Sequence, residues 1–155
     1  MEYQQLDIDT ISHVISISVA PVFLLAGISG LLMVLTNRLG RTIDRSRSLQ
    51  KTLTHKTQPQ HKIMIEKEMA NLVKRSRFIN LAINLATVSA LMVCLVIITL
   101  FVGGLSTYNV ALVVASLFIL CMSLLSASFS CFLVEVFIAT RTLRSTLNSI
   151  ERFRE

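Results

Sequence analysis

Residues 35–83 read LTNRLGRTIDRSRSLQKTLTHKTQPQHKIMIEKEMANLVKRSRFINLAI, and this stretch decides the fold. Apolar and small side chains recur at Leu35, Leu39, Thr42, Ser46, Leu49 and Leu53, and again at Ile65, Met69, Leu72, Ser76, Ile79 and Ile83. Both series alternate steps of four and three, the spacing at which one helix buries a seam against another. Paired from the ends inward, the two series are equidistant from Pro59. Proline donates no backbone N–H and disfavours helix in the residue before it, so a turn is expected at Thr57, Gln58, Pro59 and Gln60. The stretch reads as an antiparallel helical hairpin folded about that turn.

What flanks the hairpin is apolar. No acidic or basic residue lies between Asp9 and Arg38, and 57 uncharged positions separate Arg77 from Glu135. A membrane span takes about 20 apolar residues at about 1.5 Å each, so the first gap holds one helix and the second holds two. Spans are expected at roughly 14–36, 78–102 and 110–134, with a hairpin over 37–77 and a C-terminal helix over 136–153. The fold class is thus an all-α integral membrane domain of 155 residues: three transmembrane helices, the first two extended into a cytoplasmic antiparallel hairpin. Val136, Leu143, Leu147, Ile150 and Phe153 make the C-terminal helix amphipathic, and Ile43 and Val73 beside the seam offer it a place to pack.

Of the 15 Lys and Arg residues, 11 fall within 38–77 and four within 141–154, whereas the amino terminus carries Glu2, Asp7 and Asp9 with no basic residue before the first span. This bias predicts an external amino terminus and a cytoplasmic hairpin and tail. The formal charge of +6 is a membrane-facing asymmetry, and nucleic acid is not an expected partner because aromatic residues hardly accompany the basic ones. Asp9 or Thr10 is placed to cap the first helix, Pro21 and Gly40 are places where it can bend, and Gly103, Gly104, Ser106 and Asn109 read as the outer turn. The leader has acids where a signal peptide has a basic region, so cleavage is not expected.

Two sets of residues are candidates for function. Asn80, Asn84 and Thr87, with Cys94, recur on one face of span two, and an amide in hydrocarbon must meet protein or water. Ser116, Ser123, Ala127 and Ser130 form a small, mildly polar seam on span three, and Ser16, Ala20, Ala26, Gly27 and Gly30 a small-residue side of span one that is expected to pack on the chain's own helices. The second set is an interfacial charge cluster: Arg38, Arg41, Asp44, Arg45, Arg75, Glu135 and Arg141. Arg38 and Arg41 are placed to anchor in acidic lipid, and Asp44 to pair with Arg41 or Arg47 along its own helix. Arg45 and Arg75 are expected to face each other across the seam and so to need a counter-ion; Glu135 is expected to reach the interface or pair with a hairpin arginine.

Signs of catalysis are missing. Ser12 and His13, with Asp9 nearby, are not expected to form a triad, because consecutive helix positions do not face each other and no oxyanion donors are identifiable, and His55 with His61 at the hairpin tip lacks a third metal ligand. Cys94, Cys121 and Cys131 lie in apolar spans as small hydrophobes, and no cofactor or metal motif occurs.

Residues 19–38, VAPVFLLAGISGLLMVLTNR, with Arg41, Asp44, Arg45 and Arg47 after them, and residues 66–80, EKEMANLVKRSRFIN, with AINLAT at 82–87, resemble an uncharacterised bacterial family of small three-span membrane proteins, a domain of unknown function. The resemblance implies a bacterial cytoplasmic membrane and three helical spans, and carries over no activity or ligand. Two functions are expected to compete: a non-enzymatic homo-oligomer whose polar faces enclose an ion or small-solute pore, or a non-conducting scaffold or regulatory subunit whose basic hairpin binds acidic headgroups or a protein partner.

Overall fold

A computed structural model describes the backbone of residues 2–54, 59–105 and 110–152 and the side chains of 12–52, 65–104 and 110–140. Those residues form three helices: α1 (Glu2–Thr54), α2 (Pro59–Leu105) and α3 (Ala111–Arg152). Each contains a stretch long and apolar enough to cross a membrane. Their outward positions are what a lipid solvent requires: Leu112 is 83% exposed, Phe23 73% and Met33 68%, where water would demand polar groups.

The helices are longer than their spans. α1 begins at Glu2, ahead of the Asp9 or Thr10 cap expected for it, and continues through Pro21 and Gly40 without a break. α2 opens on Pro59, where the fixed φ of proline suits a first helical position. Gly103 and Gly104 do not form the outer turn; they belong to the last turns of α2. Their role is close approach, because a Cβ on Gly103 would collide with Val110 and one on Gly104 with Val14. His55, Thr57 and Gln58, residues 106–109 where the outer turn is expected, and the side chains of Leu53, His61, Arg141, Leu143, Leu147, Ile150 and Phe153 lie outside the described residues.

Two compact units divide the chain. The first comprises residues 1–32 and 85–126. Its core is Ile28 from α1, Ala86 and Val93 from α2, and Cys121 and Leu125 from α3. Ser89 donates to the Cys121 carbonyl at 3.1 Å and lies 3.2 Å from its Sγ, with both side chains fully buried.

In the second unit, residues 33–84 and 127–155, the seam of the opening stretch is buried as its spacing predicts. Leu35, Thr42 and Leu49 on α1 and Ile65, Leu72 and Ile79 on α2 are buried, while Leu39, Ser46, Met69, Ser76 and Ile83 are half-buried. Leu49, Ile65 and Leu72 form one apolar cluster with Met69 against it. α3 packs on another face of α2: Ser128 is fully buried and donates to the Ala82 carbonyl at 2.7 Å. Within this unit Ala82 with Ser128 and Arg75 with Glu135 are each equidistant from residue 105. The α2–α3 contacts of this unit thus lie seven residues, or two turns, apart on both helices.

This repeat replaces the seam expected for span three. Ser116, Ser123, Ala127 and Ser130 are all exposed, and the inward positions are Cys121, Leu125, Ser128 and Glu135. Ser116 and Ser123 donate to the carbonyls of Val113 and Ile119 in their own helix, so their polarity does not draw them inward. The small-residue side of α1 is likewise outward. A Cβ on Gly27 or Gly30 would meet nothing within 4 Å, so these glycines do not serve packing within the chain.

Candidate functional site

One side chain from each helix meets at Glu135. The seven-residue repeat that buries Ser128 on α3 also buries the carboxylate two turns on, and Glu135 is fully buried. An isolated buried carboxylate is costly, so the surrounding sequence must supply cations. Arg75 of α2 donates to Oε1 through Nε at 3.1 Å and Nη2 at 2.8 Å. Arg38 of α1 brings its Nη2 to 3.0 Å from Oε2, an ion pair in which no N–H is aligned on that oxygen as a hydrogen bond. Phe132, one turn before Glu135, lies under the Arg38 guanidinium at 5.3 Å from its ring centroid. Spacing of i and i+3 puts Phe132 and Glu135 on one helix face, so α3 offers Arg38 both a π face and a charge.

Arg38 and Arg75 are each about three-quarters buried in their side chains, at 25% and 23% exposure. They form part of the wall of a cavity of about 420 Å³, lined also by Arg41, Thr42, Arg45 and Leu72. Arg38, Arg41 and Arg45 stand three and four residues apart, on neighbouring turns of one side of α1. Thr42 turns its hydroxyl to its own helix, donating to the Arg38 carbonyl at 3.0 Å. Arg45 donates through Nε and Nη2 to Oε1 of Glu68 at 3.0 and 2.9 Å. That pair is half in solvent, with side chains 58% and 40% exposed. Exposed pairs of this kind contribute about 0–1 kcal/mol, so Glu68→Gln is expected to leave the unfolding free energy in detergent within about 1 kcal/mol of wild type.

A comparison with family profiles places these residues inside a single match: the family described as "Protein of unknown function (DUF2721)" covers residues 18–145. The chain belongs to the DUF2721 family. Neither the curated proteins nor the solved structures contain a match to it. The matched segment of this DUF2721 chain includes the whole Arg38, Arg75 and Glu135 cluster and every residue of the cavity wall.

The residues singled out from sequence divide sharply. The structure brings together Arg38, Arg41, Arg45, Arg75 and Glu135, and the counter-ions of Arg45 and Arg75 are Glu68 and Glu135. Asp44 is exposed and pairs with neither Arg41 nor Arg47 among the described residues. Arg141 lies outside the described side chains. Asn80, Asn84 and Thr87 are exposed, as are Ser123 and Ser130. Glu68 and Phe132 were not foreseen. Phe132 had a signal in its position one turn before the charged end of span three, whereas Glu68 reads as one more solvated charge until α1 is set beside it.

Among the described residues, no three His, Cys, Asp or Glu side chains gather as metal ligands. Both Glu135 oxygens face guanidinium groups, so the arrangement holds three helices together and fixes the direction of two arginines.

Proposed function

We propose that this chain is a non-enzymatic subunit of a homo-oligomeric membrane assembly whose copies meet through the amide-bearing face of α2. Asn80 and Asn84 carry the proposal: both are exposed, and neither side chain has a hydrogen-bond partner among the described residues. Asn84 stands six residues inside the expected start of its span, about 9 Å deep at about 1.5 Å per residue. An amide left in hydrocarbon costs several kcal/mol. Since an amide both donates and accepts, the same residue on a second copy is complementary to it, as a symmetric contact requires. The outward Gly27 and Gly30 of α1 add a second surface where helices from different copies can approach closely. In this proposal the membrane is a bacterial inner membrane and the arginine-rich arms of α1 and α2 are cytoplasmic, the side to which basic residues sort.

A pore along the same face is the second reading, and one observation limits it. Beyond Thr87 the same face of α2 continues through the exposed Leu91, Leu95, Ile98 and Val102, so a path there is polar for little more than two turns and apolar thereafter. Such a path closes by dewetting, which favours a non-conducting assembly at rest.

The test is the mass of the purified chain in a neutral detergent and in lipid nanodiscs, wild type against Asn80→Leu with Asn84→Leu. Interhelical polar contacts contribute about 0.6–2 kcal/mol each, so loss of two per contact is expected to weaken association by about tenfold or more. A wild-type chain that stays monomeric as lipid is diluted away overturns the proposal. Conductance in planar bilayers, abolished by the same double substitution, would select the pore.

A further inference from the structure

We infer that the cavity walled by Arg38, Arg41, Thr42, Arg45, Leu72 and Arg75 is a binding site for a phosphoryl oxyanion. The site lies within one chain and does not depend on the assembly proposed above.

Charge is the first reason. Four guanidinium groups line the cavity, and two carboxylates, Glu135 and Glu68, touch them, which leaves two positive charges over. Like charges gathered around one space repel, and a multivalent oxyanion removes that repulsion. The second reason is the direction of the donors. Arg75 and Arg45 both spend Nε and Nη2 on a carboxylate oxygen. Among the described residues neither uses Nη1, and Arg41 makes no ion pair or side-chain hydrogen bond at all. Each therefore retains N–H groups for a ligand with several acceptor oxygens, the geometry that guanidinium and phosphate share.

The third reason is that the wall is built before a ligand arrives. Glu135 and Phe132 hold Arg38, and Glu135 holds Arg75, in side chains about three-quarters buried. Donors fixed in this way lose less freedom on binding than arginines free in solvent. Leu72 adds an apolar surface beside the charges, which suits a phosphate carried on an organic group as well as free phosphate. The shared chemistry is the phosphoryl group, and its source is either an acidic lipid headgroup or a soluble phosphate.

The experiment uses the full chain in a neutral maltoside detergent at constant ionic strength. One arm titrates inorganic phosphate and the other dihexanoyl phosphatidylglycerol, each followed by phosphorus NMR. Wild type is expected to saturate at one site per chain in at least one arm. Arg41→Gln with Arg45→Gln is expected to weaken that binding by about tenfold or more, since it removes two charge-assisted donors. These two are exposed, so the helical fold should be retained, as checked by circular dichroism. Lys67→Gln with Lys74→Gln removes the same charge from exposed positions off the cavity wall and is expected to leave the affinity within about twofold of wild type. Saturation by lipid alone assigns the site to a headgroup, and saturation by inorganic phosphate assigns it to a soluble ligand. If wild type saturates in neither arm, or the two double variants lose affinity equally, there is no oxyanion site and only a diffuse positive surface.

Discussion

Glu135→Gln is expected to lower the unfolding free energy of the chain by about 3–5 kcal/mol, the range for removing one partner from a buried ion cluster. Glu135 is fully buried between Arg75 and Arg38, so the neutral amide leaves two guanidinium groups mostly out of water without a counter-charge. The glutamine carbonyl can still accept one hydrogen bond from Arg75, which separates the loss of charge from the loss of shape. Unfolding in mixed micelles of increasing anionic detergent, followed by far-ultraviolet circular dichroism, measures the difference. Wild-type stability in Glu135→Gln would mean that the cluster holds nothing together. Replacing all three members with apolar residues, as in Arg38→Met, Arg75→Met and Glu135→Leu together, is expected to recover most of the loss, since neither desolvated charge nor unpaired donor then remains.

Ala82→Leu is the second large effect. Ala82 is fully buried, and its carbonyl accepts from Ser128 Oγ at 2.7 Å, a bond that a short serine side chain can make only if the two helix backbones lie close. Three added carbons have no space at such a crossing. Overpacking costs about 1–3 kcal/mol and the lost hydrogen bond about 1 kcal/mol, so a destabilisation of about 2–4 kcal/mol is expected in the same assay. Arg75 and Glu135 meet two turns further along the same pair of helices, so wedging the helices apart at Ala82 also loosens the charge cluster. Val88→Leu, at an exposed position of α2, adds volume facing outward and is expected to stay within about 0.5 kcal/mol of wild type. Equal stability in the two variants would show that α2 and α3 are not closely packed at Ala82.

The contrast between the two helix pairs shows what was legible beforehand. The α1–α2 seam from Leu35 to Leu49 and from Ile65 to Ile83 could be read because it runs through a charged segment, where Leu49 and Leu72 stand out from Arg45, Arg47, Lys74 and Arg77. The α2–α3 seam runs through uninterrupted apolar sequence, where lipid-facing and core-facing side chains have the same character. Serine does not resolve the matter, because it satisfies itself on its own helix as readily as across an interface. Ser123 does the first and Ser128 the second, and only packing distinguishes them. Glu135 was visible as a charge at the end of a span, with the interface or a hairpin arginine as its expected destination. That it takes two arginines from two helices, leaving Arg45 to Glu68, depends on where each helix lies.

By itself the sequence determined that three helices each hold a membrane-length apolar stretch and that α1 and α2 present a four-and-three seam, because hydrophobic spacing acts through local helix geometry. Only the tertiary structure decided which face of α3 turns inward, which arginines close on Glu135, and that four guanidinium groups border one cavity. Those outcomes depend on side chains distant in sequence arriving at the same few ångströms, where burial makes every unpaired charge costly.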